Sequence, residues 1–310
     1  MATRAGSAGD KVVVEVDGRR LTLSNLDKVL YPGSGFTKAE VVDYYTRVAP
    51  VLLPHLAGRP LTRKRYPDGV EGQSFFEKNA PSHTPDWVRT VRLPAPGSTK
   101  NRETVRYVLV EDLVTLVWLA NLAALELHVP QWAVGSADEV HEADLLVFDL
   151  DPGAPATVVE CCRVALLIRE ALAGDGLLAY PKTSGSKGLQ LYAPIAPAPP
   201  ERTSDYAKEV ARGLEEAHPD LVVHRMAKNL RGGKVLVDWS QNNGAKTTVA
   251  PYSLRARERP SVSAPVTWAG VEHCRDPEDL VLLADDVLDR VSADGDLFAS
   301  LLAENRPPLP

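Results

Sequence analysis

Apolar residues recur with two different periods along this chain, and each period predicts a different kind of element. Residues 12–16 and 20–23 alternate between apolar and polar about Asp17-Gly18, a pattern typical of a β-hairpin with a tight turn. Residues 112–125 carry apolar side chains at helical spacing instead, which predicts a buried helix. The apolar set of this helix is Leu113, Leu116, Val117, Ala120 and Ala124.

The start of another helix is marked by its cap. Thr37 is followed three residues later by Glu40, which is the spacing of a capping box, so we expect a helix from this point to about His55. Short strands are expected at residues 61–65 and 126–132. The first half of the chain therefore mixes strands and helices.

The second half has a simpler order of elements. We expect strands at 144–151, 177–182, 188–193, 234–239 and 246–250, and helices at 157–172 and 204–217. The proline-rich stretch 194–200 is expected to be a connector. Because neighbouring strands are not always separated by helices, the order predicts an α+β fold with helices packed on a mixed or largely antiparallel sheet.

Composition limits the class of protein. The chain has 310 residues, of which 44% are hydrophobic and 25% charged, so it can bury a sizeable core. No stretch approaches the roughly 18 apolar residues that cross a bilayer, and residues 1–10 are small and polar, so we expect a cytoplasmic protein without a membrane partner. Its three cysteines form no CxxC pair and no cysteine–histidine zinc spacing.

The net charge of −6 is unevenly distributed. Residues 272–304 carry most of their charge as acid, whereas basic residues form three groups elsewhere, so local fields leave room for an anionic partner. The three groups are Arg59, Arg63, Lys64 and Arg65; Arg225, Lys228, Arg231 and Lys234; and Arg255, Arg257 and Arg259.

A pair of carboxylates ends the apolar run 145–148. Side chains of a strand alternate between its faces, so Asp149 and Asp151 point the same way. Two like charges at the end of a strand repel each other, and a divalent cation offsets that cost. The sequence therefore predicts a metal site, with a helix-capping or surface role as the alternative. A similar pair, Asp294 and Asp296, is interpreted as a solvated helix connection.

The segment Thr183-Ser184-Gly185-Ser186-Lys187-Gly188 lies between two predicted strands. Its glycines permit close approach of a ligand, its hydroxyl and amide groups donate hydrogen bonds, and its lysine adds charge, which together suit a phosphate. It is not a Walker A loop, and a flexible exposed turn is the alternative interpretation.

A third acid, Asp238, follows the apolar strand 234–237. Alone it would be a cap or turn residue. With Asp149 and Asp151 it would complete the three carboxylates that suit two metal ions holding a triphosphate, which is the chemistry of nucleotidyl transfer.

These three motifs, FDLDPG, TSGSKG and VDWSQN in this order, resemble those of the archaeo-eukaryotic primase superfamily. The chain is more closely similar to the polymerase domain of bacterial ATP-dependent DNA ligase D and its stand-alone relatives. The resemblance extends over residues 21–300, through LSNLDKVLYP, TRKR, FFEK, HVPQW and PYSLR. It implies a primase-polymerase fold, with mixed or antiparallel central sheets flanked by helices.

The resemblance also implies roles for residues. Asp149, Asp151 and Asp238 would be catalytic and bind two Mn²⁺ or Mg²⁺ ions. Contacts to the nucleotide are implied for Lys64, Arg65, His128, Ser184, Lys187, Arg231, Gln241, Arg255 and Arg257, and contacts to DNA, including its 5′-phosphate, for Asn25, Lys28, Lys38, Phe75, Phe76 and Lys78.

Local chemistry leaves alternatives open for several of these residues. His128 could be a buried histidine of a strand, and Lys28 and Lys38 could be surface lysines. Phe75 and Phe76 could belong to the core rather than to a base-stacking platform.

The function expected from the resemblance is a DNA-dependent polymerase that extends 3′-hydroxyl ends at gaps and double-strand breaks, with ribonucleotides preferred. Expected partners are gapped or broken DNA with a 5′-phosphate, NTP or dNTP, Ku and a DNA ligase, in the bacterial cytoplasm with the nucleoid. The expected organisation is an N-terminal segment at 1–20, one domain at 21–300 with its catalytic core at 144–260, and a tail or linker at 301–310. The alternatives are a manganese-dependent DxD glycosyltransferase and a catalytically silent DNA-end-binding module.

Overall fold

Helices and strands alternate irregularly along the chain, which gives the α+β architecture that the sequence predicts. The computed structural model describes residues 11–94 and 103–310; the polar start at 1–10 lies outside the described residues. The helices are α1 Lys38–Leu56, α2 Leu113–Asn121, α3 Val158–Gly174, α4 Pro200–Ala217, α5 Trp268–His273 and α6 Ala284–Asp294, with 3₁₀ turns at Lys228–Leu230, Trp239–Asn242, Pro277–Leu280 and Ala299–Leu302.

The strands are short except for two long ones in the second half. They are β1 Lys11–Val16, β2 Arg19–Ser24, β3 Val29–Tyr31, β4 Phe36–Thr37, β5 Thr62–Arg65, β6 Phe75–Glu77, β7 Thr90–Pro94, β8 Thr104–Val108, β9 Ala124–Val129, β10 Trp132–Val134, β11 Val140–Pro152, β12 Tyr180–Thr183, β13 Leu189–Ala198, β14 Val222–Val223, β15 Val235–Asp238, β16 Thr248–Val249, β17 Ser253–Leu254 and β18 Val262–Ser263.

Two sheets organise the described residues. The central sheet has the order β12-β13-β11-β15-β14, and β10 pairs with the start of β11. Its pairs are antiparallel except for β14 with β15, so the sheet is mixed, as expected. The second sheet has the order β16-β9-β5-β6.

The two faces of the central sheet have different environments. Leu146, Phe148 and Leu150 of β11 lie in a buried apolar cluster with residues of α3 and α4. Val147, on the opposite face, packs with Tyr192 and Phe298 in a smaller cluster. The alternation of β11 therefore directs Asp149 and Asp151 away from the helical layer, toward the side that carries only limited apolar cover.

A separate core is built mainly from the first half of the chain, and residues of 250–264 and of α6 complete it. Tyr44, Val48 and Leu52 of α1 pack with Leu116 and Leu119 of α2, together with residues of β9. This cluster supports the second sheet, just as the helices α3 and α4 support the central sheet.

Local signals in the sequence set the hairpin and the helix caps. Asp17 and Gly18 have φ angles of 48° and 74°, and β1 pairs with β2 across them. Thr37 caps α1, with the Glu40 amide donating to its hydroxyl at 3.3 Å and the Glu40 carboxylate accepting from the Thr37 amide at 2.6 Å. Both predictions are confirmed, because these contacts involve neighbours along the chain.

The predicted helix at 112–125 is too long. Helix α2 ends at Asn121, and Ala123 takes a φ of 57°, so the chain reverses and Ala124 begins β9. Ala124 pairs there with Arg65 of β5. The pairing of strands outweighs the helical spacing of the apolar residues at this end.

The prediction of a connector at 194–200 is wrong. Strand β13 continues to Ala198, with Pro194 opposite Leu145 of β11, and α4 begins at Pro200. Strand β12 pairs only with residues 189–192 of β13. The later prolines, which have no amide N–H to donate, therefore lie beyond the stretch that pairs with β12. The amide of Ala196 on that stretch donates to Pro307 at 2.8 Å, so the predicted tail packs beside this strand.

The interpretation of Asp296 as part of a solvated connection is also wrong. Its carboxylate is only 13% exposed and lies 2.8 Å from His55 Nε2. Tyr252 Oη donates to it at 2.6 Å, and the Phe298 amide donates at 2.8 Å. Burial alone would raise the pKa of Asp296, but these donors hold the pKa below its usual range. Asp294, by contrast, is exposed as expected.

Within residues 11–94 and 103–310, none of the helices is both long and apolar enough to cross a membrane.

We expect Asp296→Ala to lower the free energy of unfolding by about 3 kcal/mol, because it leaves buried donors of three separate segments, His55, Tyr252 and Phe298, without an acceptor. Urea unfolding of the intact chain measures this. The matched control is Asp294→Ala, two residues away and exposed, which should change the free energy by less than about 0.5 kcal/mol. Equal effects of the two substitutions would contradict the role assigned to Asp296.

Candidate active site

A row of polar side chains crosses the central sheet. In the strand register Lys182 pairs with Gln190, Gln190 with Asp149, and Asp149 with Asp238. Residues directly opposite each other in a sheet share a face, so the four side chains stand side by side. We call them the polar row. Asp151 lies on the same face of β11, two residues further along the strand.

The carboxylates of this face lie close enough to oppose each other's ionisation. The pKa of Asp149 is raised to about 7, first by burial and then by the charges of Asp151 and Asp238, against a hydrogen bond from Gln190. Burial and Asp238 also raise the pKa of Asp151, while Arg231 and Lys187 lower it. Three acids thus share one face, on which Asp238 is buried, Asp149 half-buried and Asp151 exposed, and this is the charge pattern that a divalent cation would relieve.

Asp238 has a structural role as well. It caps the following 3₁₀ turn by accepting from the amide of Ser240 at 2.9 Å, and its other oxygen accepts from Gln241 Nε2 at 2.9 Å. The cap interpretation of Asp238 therefore holds alongside its place in the polar row.

In the described part of the chain, no group of three or more His, Cys, Asp or Glu side chains is arranged so that it could by itself hold a metal ion. Magnesium-like ions seldom need one, because they bind through one or two carboxylates plus water and substrate phosphates. The donor set of Asp149, Asp151 and Asp238 fits such an ion by its chemistry.

The loop 184–188 is a fixed turn rather than a flexible one. Its Ser184 hydroxyl accepts from the amides of Ser186 at 3.2 Å and Gly188 at 3.1 Å. Arg255 donates to the Ser184 carbonyl oxygen at 2.6 Å, and Arg257 donates to the Ser186 hydroxyl. Lys187 is exposed at its tip, and its charge acts on Asp151.

Two glycines make this turn possible. Gly185 has a φ of 64°, and a Cβ there would lie 2.6 Å from Arg255 Cγ and 2.7 Å from the Val262 carbonyl carbon. A Cβ at Gly188 would lie 2.0 Å from the carbonyl oxygen of Leu150. The loop is therefore packed directly against the strand that carries Asp149 and Asp151.

A cavity of about 300 Å³ lies beside the loop. Ser186, Lys187 and Arg257 line one side of it, and Leu280 and Val281 line another. It offers space and positive charge next to the tip of the loop.

Glu126 ties the two sheets together. It lies in β9 and is almost fully buried, with its carboxylate 3.0 Å from His128 Nε2 and 3.3 Å from Arg255 Nε. Arg255 in turn holds Ser184 of the loop. Burial would raise the pKa of Glu126, but the bond from His128 and the charge of Arg255 lower it to about 2. The carboxylate therefore holds both the imidazole of His128 and the guanidinium of Arg255.

His128 lies largely buried at the edge of this group, so the local interpretation of a buried strand histidine holds structurally. Burial lowers its pKa, against the effect of Glu126. Its ring meets that of Phe76 edge-on, with 5.6 Å between the centroids. His128 thus joins the polar site to the surface of β6.

Phe75 and Phe76 are both exposed, to 39% and 54%, so the core interpretation of this pair is wrong. They lie in the edge strand β6, where Phe76 pairs with Lys64 and Phe75 with Arg65 of β5. Arg65 is held by the Leu122 carbonyl oxygen at 2.7 Å, and Lys78 follows the strand directly. The result is an aromatic surface flanked by cations.

The three residues expected at a 5′-phosphate meet at the start of α1. Asn25 has a φ of 53°, and its carbonyl oxygen accepts from the amide of Lys28. The Lys38 amide donates to the Lys28 carbonyl oxygen. Lys28 is exposed and lies 2.8 Å from Asp68, as a surface lysine would.

Lys38 is not a surface lysine. It is 5% exposed, and its ammonium donates to the Ser24 carbonyl oxygen at 2.6 Å. Burial, followed by the charges of Lys28 and Arg65, lowers its pKa to about 8. The local interpretation of Lys38 is therefore wrong.

Arg231 and Gln241 lie beside the acids. The guanidinium of Arg231 donates to the Met226 carbonyl oxygen at 2.6 Å and acts on Asp151 by its charge. The amide of Gln241 contacts Asp238 directly.

Three polar residues of this site are absent from the sequence-based predictions: Lys182, Gln190 and Glu126. Each lies among apolar residues of a strand, and each is at least 95% buried. A polar residue inside an apolar strand was the available signal, but only the strand register shows what it contacts.

Comparison with known proteins finds a matching family model. Residues 37–298 match the family model described as the LigD primase-polymerase domain. The chain is 48% identical over 287 residues to the multifunctional non-homologous end joining protein LigD of Mycolicibacterium smegmatis, covering 92% of this chain and 36% of that protein. It is 34% identical to the bifunctional LigD of Bacillus subtilis, covering 89% and 43% respectively.

A solved structure is also similar. The polymerase domain of Mycobacterium tuberculosis ligase D in complex with DNA matches with a TM-score of 0.86 and 46% identity, over 92% of this chain and 99% of that one. The chain thus spans about a third of the mycobacterial relative that it matches and nearly all of the separate polymerase domain.

We expect Gly188→Ala to lower the free energy of unfolding by about 1–3 kcal/mol and to displace the loop, because the added Cβ meets a strand carbonyl that has no room to move. Urea unfolding and the amide NMR shifts of residues 184–188 report the two effects. Gly174→Ala, at a helix end with open space around it, is the matched control and should be close to neutral. An unshifted loop in Gly188→Ala would contradict the packing described.

We expect acid to remove the stabilisation that Glu126 provides. Its pKa in the folded chain is about 2, against 4.5 as the ordinary value, so its contribution of about 3 kcal/mol is complete above pH 4.5 and declines as the pH falls toward 2. The difference in unfolding free energy between the parent and Glu126→Gln should therefore shrink across this range. Glu71→Gln, at an exposed position, is the control, and parallel curves for parent and Glu126→Gln would contradict the assignment.

Proposed function

The chain belongs to the LigD primase-polymerase domain family, and we propose that it is a template-directed nucleotidyltransferase that extends 3′-hydroxyl ends at gaps and double-strand breaks in DNA. The observation that carries the proposal is the polar row. Two of its members, Asp149 and Asp238, share one face of the central sheet with Asp151, next to a loop held by Arg255.

The acids provide the metal site. Membership of the family implies divalent-metal-dependent nucleotidyl transfer, and we assign two Mn²⁺ or Mg²⁺ ions to Asp149, Asp151 and Asp238. When bound, such ions lower the pKa of the attacking hydroxyl and neutralise the leaving pyrophosphate. The role of the chain is to hold the three carboxylates together despite their repulsion, and the sheet register does this.

The phosphates are held from the side of the loop. Ser184, Lys187, Arg255 and Arg257 present hydroxyl, ammonium and guanidinium groups around the turn, and each suits a phosphate oxygen. The cavity beside Lys187 and Arg257 gives the triphosphate tail a place to lie. Arg231 and Gln241 complete this side next to Asp151 and Asp238.

The nucleotide and the template meet at the second sheet. His128 lies between the buried Glu126 and the exposed Phe76, which suits contact with the sugar of the incoming nucleotide. Phe75 and Phe76 offer exposed rings on which unpaired template bases stack, at about 1–3 kcal/mol per base. Lys64, Arg65 and Lys78 neutralise the backbone beside them.

The 5′-phosphate of the downstream strand is assigned to Asn25, Lys28 and Lys38. Lys38 supports this assignment, because it is a buried cation whose nearest acceptor is a neutral carbonyl oxygen. The substrates are therefore gapped or broken DNA and a nucleoside triphosphate, with ribonucleotides preferred. In the cell the chain would act in the bacterial cytoplasm, on nucleoid DNA, with Ku and a DNA ligase as partners in end joining.

The two alternative functions explain less of the molecule. A glycosyltransferase would use Asp149 and Asp151, but it leaves the exposed aromatic pair and the cluster at Lys38 without a role. A catalytically silent DNA-end-binding module would retain those surfaces, but it leaves three mutually repelling acids on one face of the central sheet without a purpose.

Primer extension tests the proposal. On a gapped duplex with a downstream 5′-phosphate, with Mn²⁺ and NTPs, the parent should extend the primer. Asp149→Ala with Asp151→Ala, and separately Asp238→Ala, should reduce extension by at least about a hundredfold, because the metal ions contribute several kcal/mol to catalysis.

Asp294→Ala is the control acid substitution and should extend the primer like the parent, since Asp294 is exposed. DNA binding by all variants, with no synthesis by any of them including the parent, would sink the polymerase assignment and favour the silent module. Release of nucleoside diphosphate from a sugar nucleotide by the parent would favour the glycosyltransferase.

A further inference from the structure

Lys182 is a buried cation in an unusual setting. It is fully buried in β12, and its ammonium donates to Gln190 Oε1 at 2.6 Å and to the Ser263 hydroxyl. The ring of Tyr192 lies 5.5 Å away. Within the described residues, no carboxylate forms an ion pair with Lys182. Because an ammonium removed from water without such a partner is costly, its position indicates a specific task.

The contacts of Lys182 determine which way the Gln190 amide points. The Lys182 amine donates to the amide oxygen, so the NH₂ group of Gln190 faces Asp149, whose carboxylate accepts from it. The observed bonds follow this order, with Gln190 Nε2 3.0 Å from Asp149 Oδ1. The reversed amide would lose both bonds.

From this geometry we propose that Lys182 and Gln190 are positioning residues: Lys182 orients the Gln190 amide, which holds Asp149 Oδ1 and thereby directs Asp149 Oδ2 toward the metal site. The inference rests on the proposed function. It assigns to Lys182 and Gln190 a role in holding Asp149, without contact between either residue and the substrate.

The far side of Lys182 is fixed as well. The Ser263 hydroxyl that accepts from it donates to the Thr183 carbonyl oxygen at 2.8 Å, and Thr183 leads directly into the loop 184–188. The same lysine therefore links the base of the loop to the carboxylate of Asp149. This connection spans β18, β12, β13 and β11.

Asp238 has a comparable arrangement built from other residues. Lys246 donates to the Ser240 hydroxyl, which in turn donates to Asp238 Oδ1 at 2.6 Å. At both acids a lysine acts through one neutral side chain rather than by direct pairing. A direct ion pair would occupy the carboxylate oxygens that a metal needs, whereas the indirect contact at Asp149 engages Oδ1 and leaves Oδ2 free. At Asp238 both oxygens accept hydrogen bonds, Oδ1 from Ser240 and Oδ2 from Gln241.

A double-mutant cycle on Mn²⁺ affinity tests the proposal, with free Mn²⁺ measured by its EPR signal. Gln190→Leu should weaken Mn²⁺ binding by about tenfold to a hundredfold. Lys182→Met also removes a positive charge, which by itself favours cation binding, but that effect is the same in both backgrounds and cancels in the cycle. We expect the factor by which Lys182→Met raises the Kd for Mn²⁺ to be at least five times larger with Gln190 present than in the Gln190→Leu background.

The control cycle pairs Gln190→Leu with Lys208→Met, which removes an exposed lysine that lies over Trp239; it should be additive within twofold. Additivity of the Lys182 and Gln190 substitutions to the same limit would overturn the proposal. If Lys182→Met does not fold, as judged by thermal unfolding, Ser263→Ala takes its place in the cycle with the same criterion.

The parent chain and the Asp149→Ala, Asp151→Ala variant separate this inference from the proposed function. Mn²⁺ binding by the parent that the double variant loses, together with an additive cycle, would refute the positioning role alone. Absence of Mn²⁺ binding by the parent in the presence of nucleotide would refute the metal site itself and the positioning role with it.

Discussion

The repulsion among three acids on one face of a sheet is the constraint on which the site depends. Asp149 and Asp238 face each other across adjacent strands, and Asp151 lies two residues beyond Asp149 in β11. In bulk water these charges would be screened from one another. Here burial, together with the charges of Asp151 and Asp238, raises the pKa of Asp149 to about 7. Only a register fixed over several strands keeps such groups together, and the apolar cluster beneath Leu146, Phe148 and Leu150 provides that rigidity.

The surrounding residues accommodate the repulsion among the three acids in two ways. Neutral donors, Gln190 and Gln241, hold the carboxylates of Asp149 and Asp238 without neutralising them. Cations stand farther off, at Lys187 and Arg231, and favour the charged form of Asp151. A site arranged in this way keeps its negative charge for a metal and its positive charge for phosphates. Glu126 then joins both halves, because it pairs His128 of the second sheet with Arg255, which holds the loop of the central sheet.

Much of the fold followed from local patterns, and the exceptions have clear causes. The hairpin at Asp17-Gly18 and the capping box of Thr37 and Glu40 were predictable because they involve residues within three positions of each other. The prediction of a connector at 194–200 was wrong because its prolines lie in the part of β13 that does not pair with β12, where a strand tolerates residues without an amide N–H. Asp294 and Asp296 looked alike in sequence, and the contacts of Asp296 with His55, which is more than two hundred residues away, and with Tyr252 distinguish them.

By itself the sequence determined the α+β order of elements, the pair of acids at the end of a strand, the glycine-rich loop and the family to which these motifs belong. Each of these is encoded by spacing within a short segment, where the periods of strand and helix dictate direction. The tertiary structure alone decided that Lys182 and Gln190 stand behind Asp149, that Lys38 is buried, and that Phe75 and Phe76 are both exposed. Those facts depend on strand register and on packing between distant segments, because burial and cross-strand contact are properties of pairs of segments that no single stretch of residues contains.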